Sequence, residues 1–394
     1  MVGNKSKITF ITNADFPYGK SGENFTRNIA LGLSENNAEV QVVRYRGRMF
    51  NFKNDLSIPC QNYLFRRQPK NSLLKGFQIL LNVLYTPFFV LSKKISGKDQ
   101  VFIIFALKYS YELLPFLLSC RICRIPIYQV IADHYTSEKI VPIWWKKPKY
   151  FSYLFQRKFL DRYFDGIVVL SNFLRLQAIK NKVHPEKVLL IPHFIVFESL
   201  IAQPTKSKEK KVICYCGTVS VPNGITDLIS AFQNVIKSYP NVELRIVGER
   251  SFDVDNFLQK EGMDQSQIIF TGFLSKTEVE DEMNISTVLV NPRRESDWAD
   301  AGFPTKIGEY FATKTPVVTT MVGDLTNYFK DKKEVIFALP NNPESLASSL
   351  LFALDQHHKE AKEIGLNGYL WARENLDHIR NTKKIIDFIK KPIH

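Results

Sequence analysis

Short apolar segments alternate with helix-length amphipathic segments from one end of this chain to the other, and this alternation limits the possible folds more than any other feature. It is typical of parallel α/β domains, because each parallel strand pair needs a crossover, which is usually a helix. The sequence predicts strands at Ile8–Thr12, Val40–Val43, Val101–Phe105, Ile127–Ile131, Ile167–Leu170, Val188–Ile191, Val212–Cys216, Val242–Val247, Ile268–Phe270, Val288–Val290, Val317–Thr319 and Val335–Phe337.

A chain of 394 residues is too long for one ordinary hydrophobic core, so two domains are expected. Between residues 198 and 211 the periodicity gives way to Pro, Ser and charged residues, which is typical of a linker. We therefore predict an α/β protein of two Rossmann-like domains facing across a cleft. The N-terminal domain covers 1–200, the linker 201–211 and the C-terminal domain 212–375. A C-terminal helix within 376–394 is a candidate to pack back on the N-terminal domain.

The formal net charge of +14 suits nucleic acid, anionic lipid or phosphorylated small molecules as partners. The basic residues are spread along the chain without the signatures of RNA-binding modules, which disfavours nucleic acid. The apolar stretch Leu73–Leu91 falls short of a membrane span because polar residues and a proline interrupt it. The interruptions are Lys75, Gln78, Asn82 and Pro87. The stretch is either a core helix or a helix pair lying on an anionic membrane surface.

The N-terminus and the cysteines indicate the compartment. The apolar run that ends at Asp15 is too short for a signal peptide and is better explained as a first strand. Cys214 and Cys216 alternate along a predicted strand, and no histidine pair accompanies Cys120 and Cys123 as zinc ligands would require. We predict buried thiols, a reducing cytoplasmic location, and neither a metal nor a cofactor.

Phosphate groups bind in such folds where a strand turns into a helix, because free backbone N–H groups and the helix dipole point there. Two glycine-containing turns are candidates, Phe16–Gly22 after the first strand and Cys216–Gly224 at the start of the C-terminal domain. Glycine allows the backbone to approach a ligand closely, although structural turns have the same composition.

The turn Gly302–Tyr310 is more informative. Pro304-Thr305 predicts a helix start, which puts Lys306 in the first turn, where a cation opposes the helix dipole by roughly 0.3–1 kcal/mol. A bound phosphate would reverse that penalty. Glu309 lies one turn further along the same face, where a carboxylate can take ribose hydroxyls. An exposed Lys–Glu pair of small energetic value is the alternative.

Three segments of the C-terminal half match the motifs of a known family: Asn291-Pro292-Arg293, Gly302-Phe303-Pro304-Thr305-Lys306-Ile307-Gly308-Glu309-Tyr310-Phe311-Ala312 and Thr315-Pro316-Val317-Val318. By these motifs the chain resembles the family-four retaining glycosyltransferases of the GT-B fold, especially the bacterial branch that builds capsule and surface polysaccharides. The resemblance is best from Val212 to Leu339 and reasonable over Ile8–Phe197. It implies a metal-independent transfer of a hexosyl or related sugar, with retention, from a nucleotide-diphosphate sugar to a sugar or lipid-linked sugar acceptor. A lipid-linked acceptor, with the protein peripherally on the inner membrane face, is a hypothesis that rests on the basic charge and on the stretch Leu73–Leu91.

The resemblance also implies roles for single residues. Glu309 would bind the donor ribose, and Thr305 and Lys306 would lie by the donor phosphates. The other donor-binding candidates are Gly19, Ser21, Gly217, Thr218, Asn223, Arg250 and Gly272. The catalytic candidates, which follow a strand where relatives carry an acidic or histidine residue near the acceptor, are Asp133 and His134. His193 is given no chemistry.

Three residues depart from the family pattern. The family often has two carboxylates that bracket seven residues, and here the second is Glu309 but the first position is Ala301. Where relatives usually carry an Arg and a Lys that neutralise the leaving diphosphate, this chain has Thr218 and Asn223. That charge would then fall to Lys306 and backbone N–H groups, with further candidates in Arg250, Arg293 and Arg294. Two alternatives stay open: a non-catalytic partner subunit that keeps the fold, and another GT-B enzyme such as a sugar-nucleotide epimerase.

Overall fold

The computed structural model describes residues 6–17, 21–46, 56–96, 100–107, 109–132, 134, 147–197, 210–262, 265–355 and 359–391. The chain divides into an N-terminal unit, Met1–Phe194 with His378–His394, and a C-terminal unit, Ile195–Asp377. Each unit contains one sheet in which every strand pair is parallel. The predicted α/β class is confirmed.

The sheet of the N-terminal unit has the order β3-β2-β1-β4-β5-β6-β7. Its strands are β1 Lys7–Thr12, β2 Glu39–Arg44, β3 Cys60–Asn62, β4 Gln100–Phe105, β5 Ile127–Ile131, β6 Gly166–Val169 and β7 Val188–Leu190. The helices of this unit that precede the C-terminal unit in the sequence are α1 Ser21–Glu35, α2 Ser72–Ser96, α3 Ser110–Cys123, α4 Lys147–Phe155 and α5 Asn172–Lys180. A π-helical turn, Gln156–Leu160, continues α4, and 3₁₀ turns follow at Asp161–Tyr163 and Pro185–Lys187.

The sheet of the C-terminal unit has the order β10-β9-β8-β11-β12-β13, which reverses direction at β8. Its strands are β8 Val212–Cys216, β9 Glu243–Val247, β10 Ile268–Gly272, β11 Val288–Asn291, β12 Val317–Thr320 and β13 Ile336–Ala338. Its helices are α6 Ile225–Ser238, α7 Phe252–Glu261, α8 Lys276–Ile285, α9 Asp297–Ala301, α10 Thr305–Ala312, α11 Leu325–Tyr328, α12 Pro343–Leu354 and α13 Lys359–Asn375, and a 3₁₀ turn spans Val221–Asn223. The last helix, α14 His378–Lys390, belongs to the N-terminal unit.

The local signals in the sequence have the structural outcomes that their chemistry predicts. Ser171 caps α5 by accepting a hydrogen bond from the Leu174 N–H at 3.2 Å. The apolar stripe of α6 is buried against β8 and its neighbours in a continuous core. Cys214 and Cys216 are free, buried thiols on the opposite side of β8 from Tyr215, so the prediction of buried thiols is confirmed for this pair.

The boundary between the units differs from the predicted residue 200. The Ile195 N–H donates to the Leu376 carbonyl at 2.9 Å, and Ile195 pairs with Asp377, so the chain enters the C-terminal unit directly after Phe194. Of the predicted linker, residues 201–209 lie outside the described residues. In the N-terminal unit α14 packs against α1, where the Asn36 amide donates to the Ile379 carbonyl at 2.8 Å.

Two further features differ from the sequence-based expectations. The edge strand β3 was not predicted, because three half-buried residues are too few to show a period. The stretch Leu73–Leu91 is one helix, α2, and it is neither a helix pair nor a core helix, since most of its apolar side chains are exposed. Among the described residues, α2 is the one helix long and apolar enough to cross a membrane.

Candidate functional site

The strand order of the C-terminal unit creates a crevice at the carboxyl ends of β8 and β11, where ligands of such sheets bind. Glycines stand at the ends of the three strands on one side of it: Gly217 after β8, Gly248 after β9 and Gly272 in β10. Their φ angles are +148°, +145° and +73°. The Gly248 N–H donates to the Gly272 carbonyl at 2.9 Å, and a Cβ on Gly248 would overlap the Gly217 carbonyl. This edge of the sheet is therefore lined by closely packed backbone.

The loop 217–224 between β8 and α6 is held by its own polar groups. The Asn223 side-chain amide donates to the Thr218 carbonyl at 3.0 Å and to the Ser220 hydroxyl at 2.9 Å. Gly224 has φ +76°, and a Cβ there would overlap the Pro292 carbonyl after β11. Thr218 and Asn223, which replace the family's two cations, thus shape the loop instead of adding charge to it.

Helix α10 brings a cation to this loop. As predicted, α10 begins at Thr305 with Lys306 in its first turn. The Lys306 ammonium donates to the Tyr215 hydroxyl at 2.8 Å and lies 4.0 Å from the centroid of that ring. The Tyr215 hydroxyl in turn donates to the Thr218 carbonyl at 2.8 Å. A Cβ on Gly217 would lie 2.5 Å from the Lys306 nitrogen, so this ammonium occupies the space that glycine leaves at the end of β8.

Burial lowers the pKa of Lys306 to about 7, and the nearby positive charge of Arg293 acts in the same direction. The interactions of Lys306 with Cys216 and Glu309 oppose the shift without cancelling it. Within the part of the chain that the structure describes, no carboxylate lies within 4.0 Å of the Lys306 nitrogen. An anion placed beside Lys306 would therefore supply the counter-charge that the ammonium lacks.

A buried tyrosine holds α10 in this position. The Tyr310 hydroxyl accepts a hydrogen bond from the Cys216 N–H at 2.8 Å and lies 3.4 Å from the carbonyl of the same residue. Tyr310 therefore fixes α10 against the end of β8. Glu309 is the preceding residue of the helix and is only partly buried, one turn beyond Lys306.

The side chains of the three candidate arginines all interact with other residues of the protein. Arg294 forms a two-pronged ion pair with Asp227 in the first turn of α6, with one contact at 2.8 Å. Arg293 donates to the carbonyls of Trp298 and Gly302, both at 3.1 Å, and stacks on the Trp298 ring. Arg250 pairs with the Asp255 carboxylate at 2.5 Å and lies over a phenylalanine ring, although a β-bridge to Val219 keeps it next to the loop.

The structure therefore brings together, at one edge of the C-terminal unit, most of the donor-binding residues that the sequence predicted: Gly217, Thr218, Asn223, Arg250, Gly272, Thr305, Lys306 and Glu309. Three further residues of this edge were not predicted from the sequence: Tyr215, Gly248 and Tyr310. Gly248 could have been predicted from its position directly after a predicted strand. The two tyrosines lie in apolar runs and resemble ordinary core aromatics.

The candidates in the N-terminal unit are described only in part. Gly19 and Asp133 lie outside the described residues, and Ser21 is the first residue of α1. His134 follows β5, and its Nδ1 lies 2.8 Å from the Tyr153 hydroxyl. His193, to which no chemistry was given, is buried against the Phe25 ring at 4.9 Å, and burial lowers its pKa to about 3.

No metal centre is found in the described parts of either unit, where no three or more His, Cys, Asp or Glu side chains are grouped to hold an ion. The short helix α9 contains two aspartates, and the Asp300 carboxylate accepts a hydrogen bond from the Gly323 N–H at 3.0 Å. That carboxylate therefore has a structural partner within the unit.

The strand order and the glycine-lined crevice define the C-terminal unit as a Rossmann-type domain, a class that commonly binds nucleotides. The whole chain has the GT-B fold, since solved GT-B proteins match it along its full length. Residues 210–356 match the family described as "Glycosyl transferases group 1", which covers most of the C-terminal unit. No curated protein sequence matches the chain.

Three solved structures illustrate the likeness. HepE from Anabaena, in complex with UDP and glucose, is 15% identical with a TM-score of 0.69, and the match covers 97% of this chain and 98% of HepE. A glycosyltransferase from Rickettsia africae ESF-5 is 16% identical with a TM-score of 0.72, covering 98% of both chains. WaaG, a glycosyltransferase involved in lipopolysaccharide biosynthesis, is 15% identical with a TM-score of 0.68, covering 98% of this chain and 100% of WaaG.

Proposed function

We propose that this protein is a glycosyltransferase that moves a sugar from a nucleotide-diphosphate sugar to a hydroxyl group, with retention and without a metal. The observation that carries the proposal is the Lys306 ammonium, held at the end of β8 by Tyr215 with its pKa lowered by burial. A cation at a helix N-terminus that lacks a carboxylate partner is suited to an anionic ligand.

The chemistry of sugar transfer requires such a group. When the bond between the sugar and the diphosphate breaks, negative charge develops on the leaving diphosphate, and stabilising that charge is the main electrostatic requirement. Lys306 supplies the cation, and the N-terminus of α10 supplies the backbone N–H groups of Thr305 and Lys306, which precede the first i→i−4 hydrogen bond of a helix. The glycine-lined edge lets the diphosphate approach the backbone closely, and Glu309 is positioned to bind the ribose hydroxyls.

The relatives support the class of donor and acceptor. HepE has been solved with UDP and with UDP-glucose, so we propose a uridine-linked sugar as the first donor to test. WaaG acts in lipopolysaccharide biosynthesis, which supports a sugar or lipid-linked sugar acceptor of surface-polysaccharide or glycolipid synthesis, met at the cytoplasmic side. Asp133 and His134 remain our candidates for the acceptor hydroxyl, and the contact of His134 with Tyr153 would orient its ring.

A second candidate function rests on the loop 217–224. Its two departures from the family pattern leave the loop without a cation, and Asn223 binds the loop itself. A partner subunit that binds the donor but does not transfer its sugar would tolerate that loss.

Donor binding is tested by thermal unfolding with UDP-, GDP-, CMP- and dTDP-linked sugars. A ligand at a hundredfold excess over its dissociation constant stabilises the folded chain by about 2.7 kcal/mol. We expect one nucleotide class to stabilise the wild type, and Lys306→Met and Glu309→Ala each to lose most of that effect. The matched control is the ion pair Lys276 and Glu280 on α8, whose charged groups lie 3.5 Å apart, and Lys276→Met and Glu280→Ala should respond as the wild type does.

The donor identified in this way is then incubated with sugar and lipid-linked acceptors in the presence of a chelator. Transfer with the anomeric configuration of the donor preserved in the product, read by NMR, supports the first function. Tight donor binding without transfer to any acceptor supports the partner subunit. If no sugar nucleotide stabilises the chain, both functions are wrong.

A further inference from the structure

Three helices form one layer on the N-terminal unit. The chain runs from β3 through α2 to β4, through α3 to β5, and onward through α4 to β6, always in the same direction across the sheet. Since parallel crossovers are right-handed, all three helices lie on the same face of that sheet. Their contacts agree with this, because α2 packs against α3, and α3 packs against α4 and its π-helical extension.

Helix α2 differs from an ordinary surface helix, because three of its five buried side chains are polar and only two, Phe89 and Val90, are apolar. Gln78, Asn82 and Thr86 are buried at a spacing of four residues. The Asn82 amide donates to the Tyr45 carbonyl at 2.7 Å, and the Tyr63 hydroxyl donates to Thr86 at 2.9 Å. Each of these three polar side chains forms a hydrogen bond within the unit, and these bonds anchor α2 in this orientation.

The opposite face of α2 is apolar and exposed. Its side chains recur at three- and four-residue spacing over the whole helix, which is about 37 Å long at 1.5 Å per residue. Between 48% and 82% of each is accessible to solvent; they are Leu73, Phe77, Leu80, Leu84, Phe88, Leu91 and Ile95. A soluble surface helix normally places such a stripe against the core.

The neighbouring helices extend this surface. Helix α3 exposes Tyr111, Leu114, Leu118 and Ile122, and α4 with its extension exposes Phe151, Leu154, Phe155 and Phe159. We call these residues, together with the exposed stripe of α2, the apolar face. Fifteen large apolar side chains exposed on adjacent helices exceed the scattered exposure of an ordinary monomer and indicate an interaction surface.

The charges around the apolar face are almost all positive. The segments that carry it, 56–96, 109–125 and 147–165, contain thirteen Lys and Arg but only three Asp and Glu. Two of the three acids, Glu112 and Asp161, are buried and paired with arginines. Exposed cations lie on α2, on α3 and on the π-helical extension of α4, including Lys75, Lys94, Arg121 and Lys158.

We propose that the apolar face docks on the surface of an anionic lipid bilayer, with α2, α3 and α4 lying in the interface. Apolar side chains beside exposed Lys and Arg are the composition of interfacial membrane helices, because the former enter the acyl boundary while the latter bind anionic headgroups. A second copy of the chain is a poorer occupant, because two such faces would bring like charges together. A spanning orientation of α2 would break the hydrogen bonds that Gln78, Asn82 and Thr86 form within the unit.

This inference goes beyond sugar transfer and does not require it. A protein with this surface would meet its acceptor in a membrane, which favours a lipid-linked acceptor if the proposed function holds.

The apolar contribution is tested by flotation of the purified full-length chain with vesicles of neutral lipid alone and of neutral plus anionic lipid. We expect binding to the anionic vesicles, and Leu80→Gln with Leu84→Gln should weaken it at least tenfold. The matched control is Leu366→Gln with Leu370→Gln on α13, since both pairs are leucines four residues apart on a helix. Their exposures are 53% and 59% on α2 and 45% and 55% on α13. The control pair should bind as the wild type does.

The charge contribution is tested with the triple change Lys75→Glu, Lys94→Glu and Arg121→Glu. We expect at least a tenfold loss of binding to anionic vesicles. The control is three exposed lysines of the C-terminal unit, changed as Lys237→Glu, Lys260→Glu and Lys330→Glu, which alters net charge equally and should have a much smaller effect.

The inference is overturned if the wild type fails to float with anionic vesicles, if both leucine pairs have equal effects, or if sedimentation shows a stable dimer that only the Leu80 and Leu84 changes dissociate. Stabilisation by the sugar nucleotide is measured on every variant. Because Lys306 and Glu309 lie in the C-terminal unit, loss of vesicle binding with donor binding intact separates this surface from the proposed function.

Discussion

The ammonium of Lys306 combines burial with the absence of a close carboxylate in the described structure, and this lowers its pKa to about 7. An unfolded lysine has a pKa of about 10.4, so between these values the unfolded chain binds more protons than the folded chain. The contribution of Lys306 to the free energy of unfolding therefore rises with pH across this window. Below pH 7 its destabilising effect is fully present, because both states are protonated.

The same pKa predicts how donor affinity depends on pH. A bound diphosphate keeps Lys306 protonated, so above pH 7 the complex binds more protons than the free chain, and affinity falls as pH rises. We expect the loss to approach about tenfold per pH unit above pH 8. Calorimetric titration with the sugar nucleotide between pH 6.5 and 9 measures it.

The control is Lys306→Arg, which keeps the positive charge at every pH because arginine is not deprotonated in proteins. Its affinity should be nearly independent of pH above 7. An arginine variant with the same steep dependence as the wild type would show that another group is titrating.

The sequence was enough to place Lys306 and Glu309 one turn apart at the start of a helix, because the helix start at Pro304-Thr305 is a local signal. Tyr215 could not be found in this way. Its hydroxyl becomes the partner of Lys306 only because α10 lies beside β8, although the two residues are 91 positions apart. Along the strand, Tyr215 is one apolar residue among five.

At the scale of elements, the conformation of the loop between β8 and α6 requires a glycine at one position. Gly224 combines φ +76° with a position where a Cβ would overlap the Pro292 carbonyl. Gly262, at the end of α7, has a similar φ of +56° but has no atom within 4 Å of the corresponding position. A substitution at Gly262 therefore introduces backbone strain alone, whereas a substitution at Gly224 introduces backbone strain together with steric overlap.

We expect Gly262→Ala to lower the free energy of unfolding by about 1 kcal/mol, the usual penalty for a left-handed residue with a Cβ. Gly224→Ala should lower it by at least about 3 kcal/mol and should also weaken donor binding, because the loop must move away from Pro292. Urea denaturation of both variants measures the difference. Equal effects at the two positions would mean that the loop accommodates the methyl group without strain.

Helix α2 shows what periodicity leaves undecided at this scale. The spacing of its leucines and phenylalanines predicts a helix with an apolar stripe, but it does not say whether the stripe faces the core. The direction is decided by the hydrogen bonds of Gln78 and Asn82 to backbone carbonyls of other segments. Since those partners are distant in sequence, the pattern alone left both a core helix and a helix pair on a membrane surface open.

At the scale of the whole molecule, the N-terminal unit is discontinuous in sequence. Helix α14 packs so closely on α1 that a Cβ on Gly32 would lie 2.5 Å from the Thr382 hydroxyl. Ile385, Ile386 and Phe388 belong to the same core as α1 and the central strands of that sheet. The unit is therefore completed only by the last residues of the chain.

Fragments test this organisation. Residues 195–377, which are contiguous, should unfold cooperatively on heating, as read by circular dichroism. Residues 1–194 alone should be unfolded or aggregated, because part of their core is missing, and fusion of 378–394 through a short flexible linker should restore cooperative unfolding. If 1–194 unfolds at the same temperature with and without the fusion, α14 contributes little to the unit.

The sequence by itself determined the α/β class, the two-domain organisation, nearly all strands, and the helix start that carries Lys306 and Glu309. Each of these follows from local patterns of apolar spacing, helix starts and turn residues. Only the tertiary structure decided that α14 completes the first unit and that the apolar side of α2 faces outward. It also decided that Tyr215 binds Lys306 and that the three candidate arginines interact with other groups of the protein. These features depend on contacts between segments far apart in the chain, and local patterns do not encode which distant group will be the partner.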